Sequence, residues 1–134
     1  MTTIYRKITC CLCLFFLVLS SVRIEAAHVV EKHITLTPTG PTIIRGVIAP
    51  SEEDARTFTV SRGKEARITI LKGRRKVVYD VYDGQNIAAN EGVAEGDWFP
   101  VSAGSYRITV NNVTGLEKKS AARPAPYEIR IEIR

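Results

Sequence analysis

From Tyr127 to Arg134 the chain alternates without a break: Tyr127, Ile129, Ile131 and Ile133 are separated by Glu128, Arg130, Glu132 and Arg134. Successive side chains of a strand point to opposite faces, so this run has one face to bury against a second layer and one to leave in water. The same period of two recurs where Tyr106, Ile108 and Val110 alternate with Arg107, Thr109 and Asn111, and where Ala66, Ile68 and Ile70 alternate with Arg67 and Thr69. Thr57 to Val60 repeats it with Phe58 and Val60. Further strand candidates are His33 to Thr37, Ile43 to Ile48, Val77 to Tyr82, Ile87 to Ala89 and Trp98 to Val101. No stretch beyond the N-terminal segment carries helical periodicity.

Between these runs stand turn formers: Pro38-Thr39-Gly40-Pro41, Ser61-Arg62-Gly63-Lys64, Lys72-Gly73-Arg74, Asp83-Gly84, Glu91-Gly92 and Glu95-Gly96-Asp97. Their spacing predicts consecutive antiparallel strands joined by tight hairpins. The expected fold is all-β: an antiparallel β-sandwich or jelly roll of about 7 to 9 short strands in two packed sheets. The long connection from Asn111 to Pro126, rich in Lys, Arg, Ala and Pro, reads as an exposed loop before the last strand.

The N-terminus reads as a targeting segment. Arg6 and Lys7 precede an apolar run from Ile8 to Leu19, followed by Ser20, Ser21 and the small residues Ala26 and Ala27. Basic, apolar and small segments in that order make a secretory signal, and the run is well short of the roughly 20 residues that span a bilayer. The expected division is a cleaved signal over 1–26 and one β-sandwich domain over 27–134, exported to the periplasm or secreted, with no stable membrane insertion. Cys10, Cys11 and Cys13 all lie inside the apolar run, so the exported chain has no disulfide and must stand on its core. Removing Arg6, Lys7, Arg23 and Glu25 from 19 basic and 14 acidic residues leaves 16 and 13, a charge of +3. So mild a balance does not point to a nucleic-acid partner.

Groups able to do chemistry are few. The histidines are His28 and His33, and His33 beside Lys32 has no nucleophile motif around it, so no catalytic residue is assigned. Asp80, Asp83 and Asn86 superficially look like an oxygen-rich calcium loop. They supply three obvious side chains where calcium takes about six to eight oxygens, and a strand with its turn is the simpler account. No metal or cofactor is expected. Lys72-Gly73-Arg74-Arg75-Lys76 reads as a solvated basic turn, with an anionic surface as the functional alternative. Asn112-Val113-Thr114 has the form of an N-glycosylation acceptor.

Two groups of stretches carry a resemblance. Thr57 to Ile70, Tyr79-Asp80-Val81-Tyr82-Asp83-Gly84, Ala103 to Val110 and the closing Tyr127 to Ile131 resemble the pre-peptidase C-terminal β-sandwich, a small secreted module usually appended to larger exported enzymes. Standing alone behind a signal, this layout is similar from about Ile44 to Arg134 to the bacterial periplasmic inhibitors of g-type lysozyme. That resemblance implies a protein partner, lysozyme, whose cleft receives a Ser-Gly-x-Tyr type loop with hydroxyls facing the catalytic carboxylates. Gly104, Ser105 and Tyr106 match the last three positions, and Ala103 stands where the motif has serine. Ser102 and Ser105 are the hydroxyls left to replace it.

The resemblance therefore implies a partner-binding loop of Ser102, Ala103, Gly104, Ser105 and Tyr106, helped by a second contact from Lys118, Lys119 and Arg123. For the turn alone, a probe of another molecule's cleft and a plain hairpin with Tyr106 as its inner anchor both stay open. The alternative for the whole chain is a non-catalytic envelope module binding glycan or protein through a sheet face with Tyr79, Tyr82 and Trp98. The sequence does not fix the oligomeric state.

Overall fold

The computed structural model describes residues 31–134, so the signal and its cleavage point lie outside the described residues. Eight strands follow one another: β1 Lys32–His33, β2 Thr42–Ile48, β3 Glu53–Val60, β4 Glu65–Lys72, β5 Val77–Asp83, β6 Trp98–Pro100, β7 Gly104–Asn112 and β8 Ala125–Ile133. They form two four-stranded sheets, ordered β1-β3-β7-β5 and β2-β8-β4-β6. The fold is the all-β sandwich expected, with antiparallel pairing throughout except between β1 and β3.

The connections differ from the expected hairpins. Odd-numbered strands make one sheet and even-numbered strands the other, so every connection crosses between layers and no two consecutive strands pair. Alternation reports which face of a strand is buried, but it carries no information on which sheet the strand joins. The turns therefore arch over the core at its two ends. Asp83-Gly84 does make a local reversal, with a bridge between Tyr82 and Ala88. The expected strand Ile87 to Ala89 is only the return limb of that reversal, and Ile87 lies 58 % exposed.

Strands β2 to β8 each contribute an apolar face to the core, whereas both residues of β1 are exposed. Ile44 and Ile48 of β2, Phe58 and Val60 of β3, Ile68 of β4, Val81 of β5, Phe99 of β6, Ile108 and Val110 of β7, and Ile129 and Ile131 of β8 are all buried. Burying side chains of this kind contributes roughly 1.5–3 kcal/mol each, enough to hold a sandwich without cross-links. The β3 strand begins four residues before the run read from sequence. Asp54 and Arg56 share the register of Phe58 and Val60 and face inward, opposite Val110 and Ile108, so polar residues occupy positions where alternation demands apolar ones.

Those two residues form the polar centre between the sheets. Arg56 donates to Asp54 Oδ2 at 2.9 Å and to the Arg45 carbonyl at 2.8 Å, and the Tyr127 hydroxyl donates to Asp54 Oδ2 at 2.6 Å. Burial raises the Asp54 pKa, but hydrogen bonds from Arg56 and Tyr127 outweigh it and hold the carboxyl below its ordinary value. Gly46 makes room for the contact, since a Cβ there would lie 2.6 Å from Tyr127 Cε1 and 2.9 Å from Asp54 Oδ2.

Open strand edges are covered by the segment between β5 and β6. Pro100 of β6 lies where its missing N–H faces the open edge and costs the ladder nothing, and the Val101 amide past it donates to the Lys64 carbonyl at 2.9 Å. On the other side of β6, Glu95 Oε1 accepts from the Ile70 amide at 2.9 Å while the Gly96 amide donates to Ile68 at 3.0 Å. On the other sheet Asn90 Oδ1 accepts from the Val81 amide at 2.9 Å.

Candidate functional site

The turn from Val101 to Ala103 arches from β6 to β7 at one end of the sandwich. Ser102, Ala103, Gly104 and Ser105 are exposed, whereas Tyr106 is 7 % exposed and belongs to the core. Its ring lies 5.7 Å from that of Phe58, its cross-strand partner, with the planes 18° apart. Period two places it there: Tyr106, Ile108 and Val110 share the inner face, and Gly104 turns the chain into the strand with φ +153°.

The Tyr106 hydroxyl locks the turn. It accepts from the Ser102 amide at 2.9 Å and donates to the Ser102 carbonyl at 3.1 Å. A rigid aromatic ring thus fixes the backbone of the residue four positions earlier and leaves the Ser102 and Ser105 side chains outside. A recess of about 300 Å³, lined by Asp83, Ala89, Pro100, Val101, Ser102 and Tyr106, lies beside it. At the same end a larger groove of about 640 Å³ runs between the 33–42 segment and the β3–β4 turn, and its lining includes Thr59, which faces Ser105 across β3 and β7.

Lys118, Lys119 and Arg123 are elsewhere. They lie on the β7–β8 loop, which begins where β7 ends, and β7 is nine residues long. At 3.2–3.4 Å per residue that separates the two groups by about 27 Å along the strand. The structure does not bring them together on one surface.

The base of the β7–β8 loop is pinned by Asn112, which is 9 % exposed. Its Nδ2 donates to the Ile48 and Arg123 carbonyls at 2.8 and 2.7 Å, and its Oδ1 accepts from the Thr114 amide at 2.8 Å. Asn112-Val113-Thr114 is therefore a structural staple in the folded chain, with the side-chain nitrogen that glycosylation needs already committed. The sequence pattern alone cannot separate the two uses.

Other candidates resolve in the same way. Asp83 Oδ1 accepts from the Gln85 and Ile87 amides at 2.9 Å each, which ties its carboxylate to its own turn. Among the described residues no group of three or more His, Cys, Asp or Glu could hold a metal ion. His33 Nδ1 meets Thr57 Oγ1 at 3.2 Å on the surface. Tyr79, Tyr82 and Trp98 do not share a face. Tyr79 points inward and donates to the Ile68 carbonyl, and burial, with Glu95 and Asp80 adding to it, pushes its pKa up to about 12. Tyr82 lies outside the first sheet under Arg107, and Trp98 outside the second, covered by Arg67 at 4.6 Å and Arg134 at 4.0 Å.

No protein-family model matches the chain, and no curated protein matches it. Solved structures do. The chain is similar to the pre-peptidase C-terminal domain of a collagenase from Bacillus anthracis, with a TM-score of 0.56 and 19 % identity over 77 % of this chain and 95 % of that one. This places the fold in the class of small sandwiches named from the sequence.

It is also similar to PliG of Salmonella Typhimurium, a periplasmic lysozyme inhibitor of g-type lysozyme, with a TM-score of 0.57 and 14 % identity over 77 % of this chain and 98 % of that one. PliG of Aeromonas hydrophila matches with a TM-score of 0.52 and 15 % identity over 78 % of this chain and all of the other. Both groups resembled by the sequence are thus represented, and at these identities what is shared is the fold.

Proposed function

We propose that the chain is an exported inhibitor of lysozyme, g-type above others, that occludes the enzyme's cleft with the Ser102–Tyr106 turn. The observation carrying this reading is the lock on that turn. Tyr106 spends its hydroxyl on both polar groups of the Ser102 backbone, so Ser102, Ala103 and Ser105 are presented in one fixed shape. A preformed loop loses little entropy when it enters a cleft, which favours tight binding over an equally polar but floppy one. In this reading Tyr106 positions the turn from inside, and the Ser102 and Ser105 hydroxyls make the contacts to catalytic carboxylates. The fold shared with the PliG inhibitors supports it, as does the signal-like segment over 1–26, which is consistent with a 27–134 domain in the periplasm or outside the cell. Lys118, Lys119 and Arg123 sit at the far end of β7, so the contact inside the cleft is assigned to the turn alone and any help from these bases would come from outside it.

The chain, purified after export, is expected to remove g-type lysozyme activity in proportion to its amount, with weaker effect on c- and i-type enzymes. Full g-type activity at micromolar chain sinks the proposal. Ala103→Ser restores the hydroxyl of the motif and is expected to tighten inhibition by about tenfold or more, since a hydrogen bond to a charged group contributes roughly 1.5–3 kcal/mol.

A further inference from the structure

The fold joins two basic segments that are far apart in the chain. The β4–β5 arch and the β7–β8 loop meet at the end of the sandwich away from Ser102, where the Val113 amide donates to the Lys76 carbonyl at 2.9 Å. Lys72, Arg75, Lys76, Lys118, Lys119 and Arg123 are all exposed there, and none makes an ion pair among the described residues. On the outer face of the β2-β8-β4-β6 sheet the pattern is the reverse: Arg45, Arg67 and Arg130 each face a carboxylate of Glu128 or Glu132. Against the six cations stand Glu117 in the same loop, Glu52 and Glu53 where β2 passes to β3, and Glu128 opposite Lys72, which is already paired with Arg45.

An apolar residue is held out among these charges. Leu116 is 78 % exposed, two residues before Lys118, on a loop whose base is fixed by Asn112, Thr114 and Arg123. Gly115 packs against Ala122 so closely that a Cβ would lie 2.7 Å from the Ala122 Cβ, which keeps the two limbs of the loop together and its tip projecting. Nearby, the bulge after Ile70 leaves Leu71 46 % exposed beside Lys72, and Val47 near the end of β2 is 68 % exposed. A soluble polyanion would engage the cations and have no use for Leu116. A bilayer interface uses both, with bases on anionic headgroups and an aliphatic tip among the acyl chains.

We propose that this end of the sandwich is a docking surface for a phospholipid bilayer with anionic headgroups, bound peripherally through the six bases and Leu116. Since β7 runs from one end to the other, a docked chain holds the Ser102–Tyr106 turn about 27 Å from the membrane, facing away from it. Docking stands independently of lysozyme inhibition, which is measured without lipid.

The test is co-sedimentation of the exported chain with vesicles of phosphatidylcholine alone or of phosphatidylcholine mixed with phosphatidylglycerol, at low and high salt. Binding is expected only to the mixed vesicles, weakening as salt screens the surface. Each base removed should lower partitioning about fivefold, so Lys118→Gln with Lys119→Gln costs roughly 25-fold. Leu116→Ser should lower it several-fold with an unchanged melting temperature, because the residue is already in water. Equal binding to both vesicle types overturns the proposal, as does a Leu116→Ser chain that binds as well as the parent. Binding to heparin without binding to mixed vesicles overturns it too, in favour of a soluble polyanion.

Discussion

The two ends of β7 solve the same problem with different side chains. At the first, Tyr106 reaches back from the core and holds the Ser102 backbone. At the last, Asn112 holds Ile48, Thr114 and Arg123. Neither loop has a disulfide, so each takes its shape from one buried polar group. The difference lies in what is exposed as a result. The Tyr106 end presents small hydroxyls on a three-residue arch, suited to a narrow cleft. The Asn112 end presents cations and a leucine on a broad loop, suited to an extended surface. Asn112 also ties three segments together where Tyr106 ties its own turn, so the two locks contribute unequally to stability.

The largest effect is expected beneath the basic end, where Asp54, Arg56 and Tyr127 join the sheets. Asp54→Ala leaves Arg56, whose side chain is only 13 % exposed, without its partner, and should cost about 3–5 kcal/mol in urea unfolding. The same carboxyl sets an acid limit. Its pKa is lower in the folded chain than in the unfolded one, so its contribution is complete above about pH 4 and disappears as pH falls through the lowered value. Urea midpoints measured from pH 6 to pH 2 should drop more steeply for the parent than for Asp54→Ala. At the alkaline side Tyr79 and Tyr127 hold their protons more tightly when folded, so stability falls above about pH 10.

Next comes the lock at the same end. Asn112→Ala strands two carbonyls and an amide, part of which water can reach, and should cost about 3 kcal/mol. It should also disturb vesicle binding while leaving lysozyme inhibition intact in the fraction that stays folded. Tyr106→Phe keeps the ring against Phe58 and removes only the hydroxyl, for about 1 kcal/mol. Its larger consequence is on function, with inhibition weakened by about tenfold as the turn loses its fixed shape. The smallest effect belongs to Lys118→Gln with Lys119→Gln, within about 0.5 kcal/mol of parental stability and with unchanged inhibition. A loss of inhibition in that pair would mean that the two ends do act together.

Much of the sandwich is legible in the chain because its strands alternate cleanly. The Tyr127, Ile129, Ile131 run and the Tyr106, Ile108, Val110 run both land on the core as period two requires. The first half of β3 is hidden, since Asp54 and Arg56 are polar residues on an inward face and reverse the pattern there. Sheet membership is hidden as well, because a turn that closes a hairpin and one that arches between sheets draw on the same Gly, Asn and Asp residues. For the site, the turn closes no hairpin, because β6 and β7 belong to different sheets, yet Tyr106 is the inner anchor that the sequence offered. Through that role it shapes the surface presented by Ser102 to Ser105. Nothing in the spacing of Ser102 and Lys118 reveals that β7 holds them apart, since distance along a strand becomes visible only once its direction in the sheet is known.

The central claim is that the Tyr106-locked turn blocks a lysozyme cleft, and titration of g-type lysozyme with the exported chain tests it most directly. Activity should fall linearly to an end point near one chain per enzyme, with Tyr106→Phe shifting the curve to higher concentration and Lys118→Gln with Lys119→Gln leaving it in place. Undiminished lysozyme activity at micromolar chain, or inhibition indifferent to Tyr106→Phe and to Ala103→Ser, would contradict it.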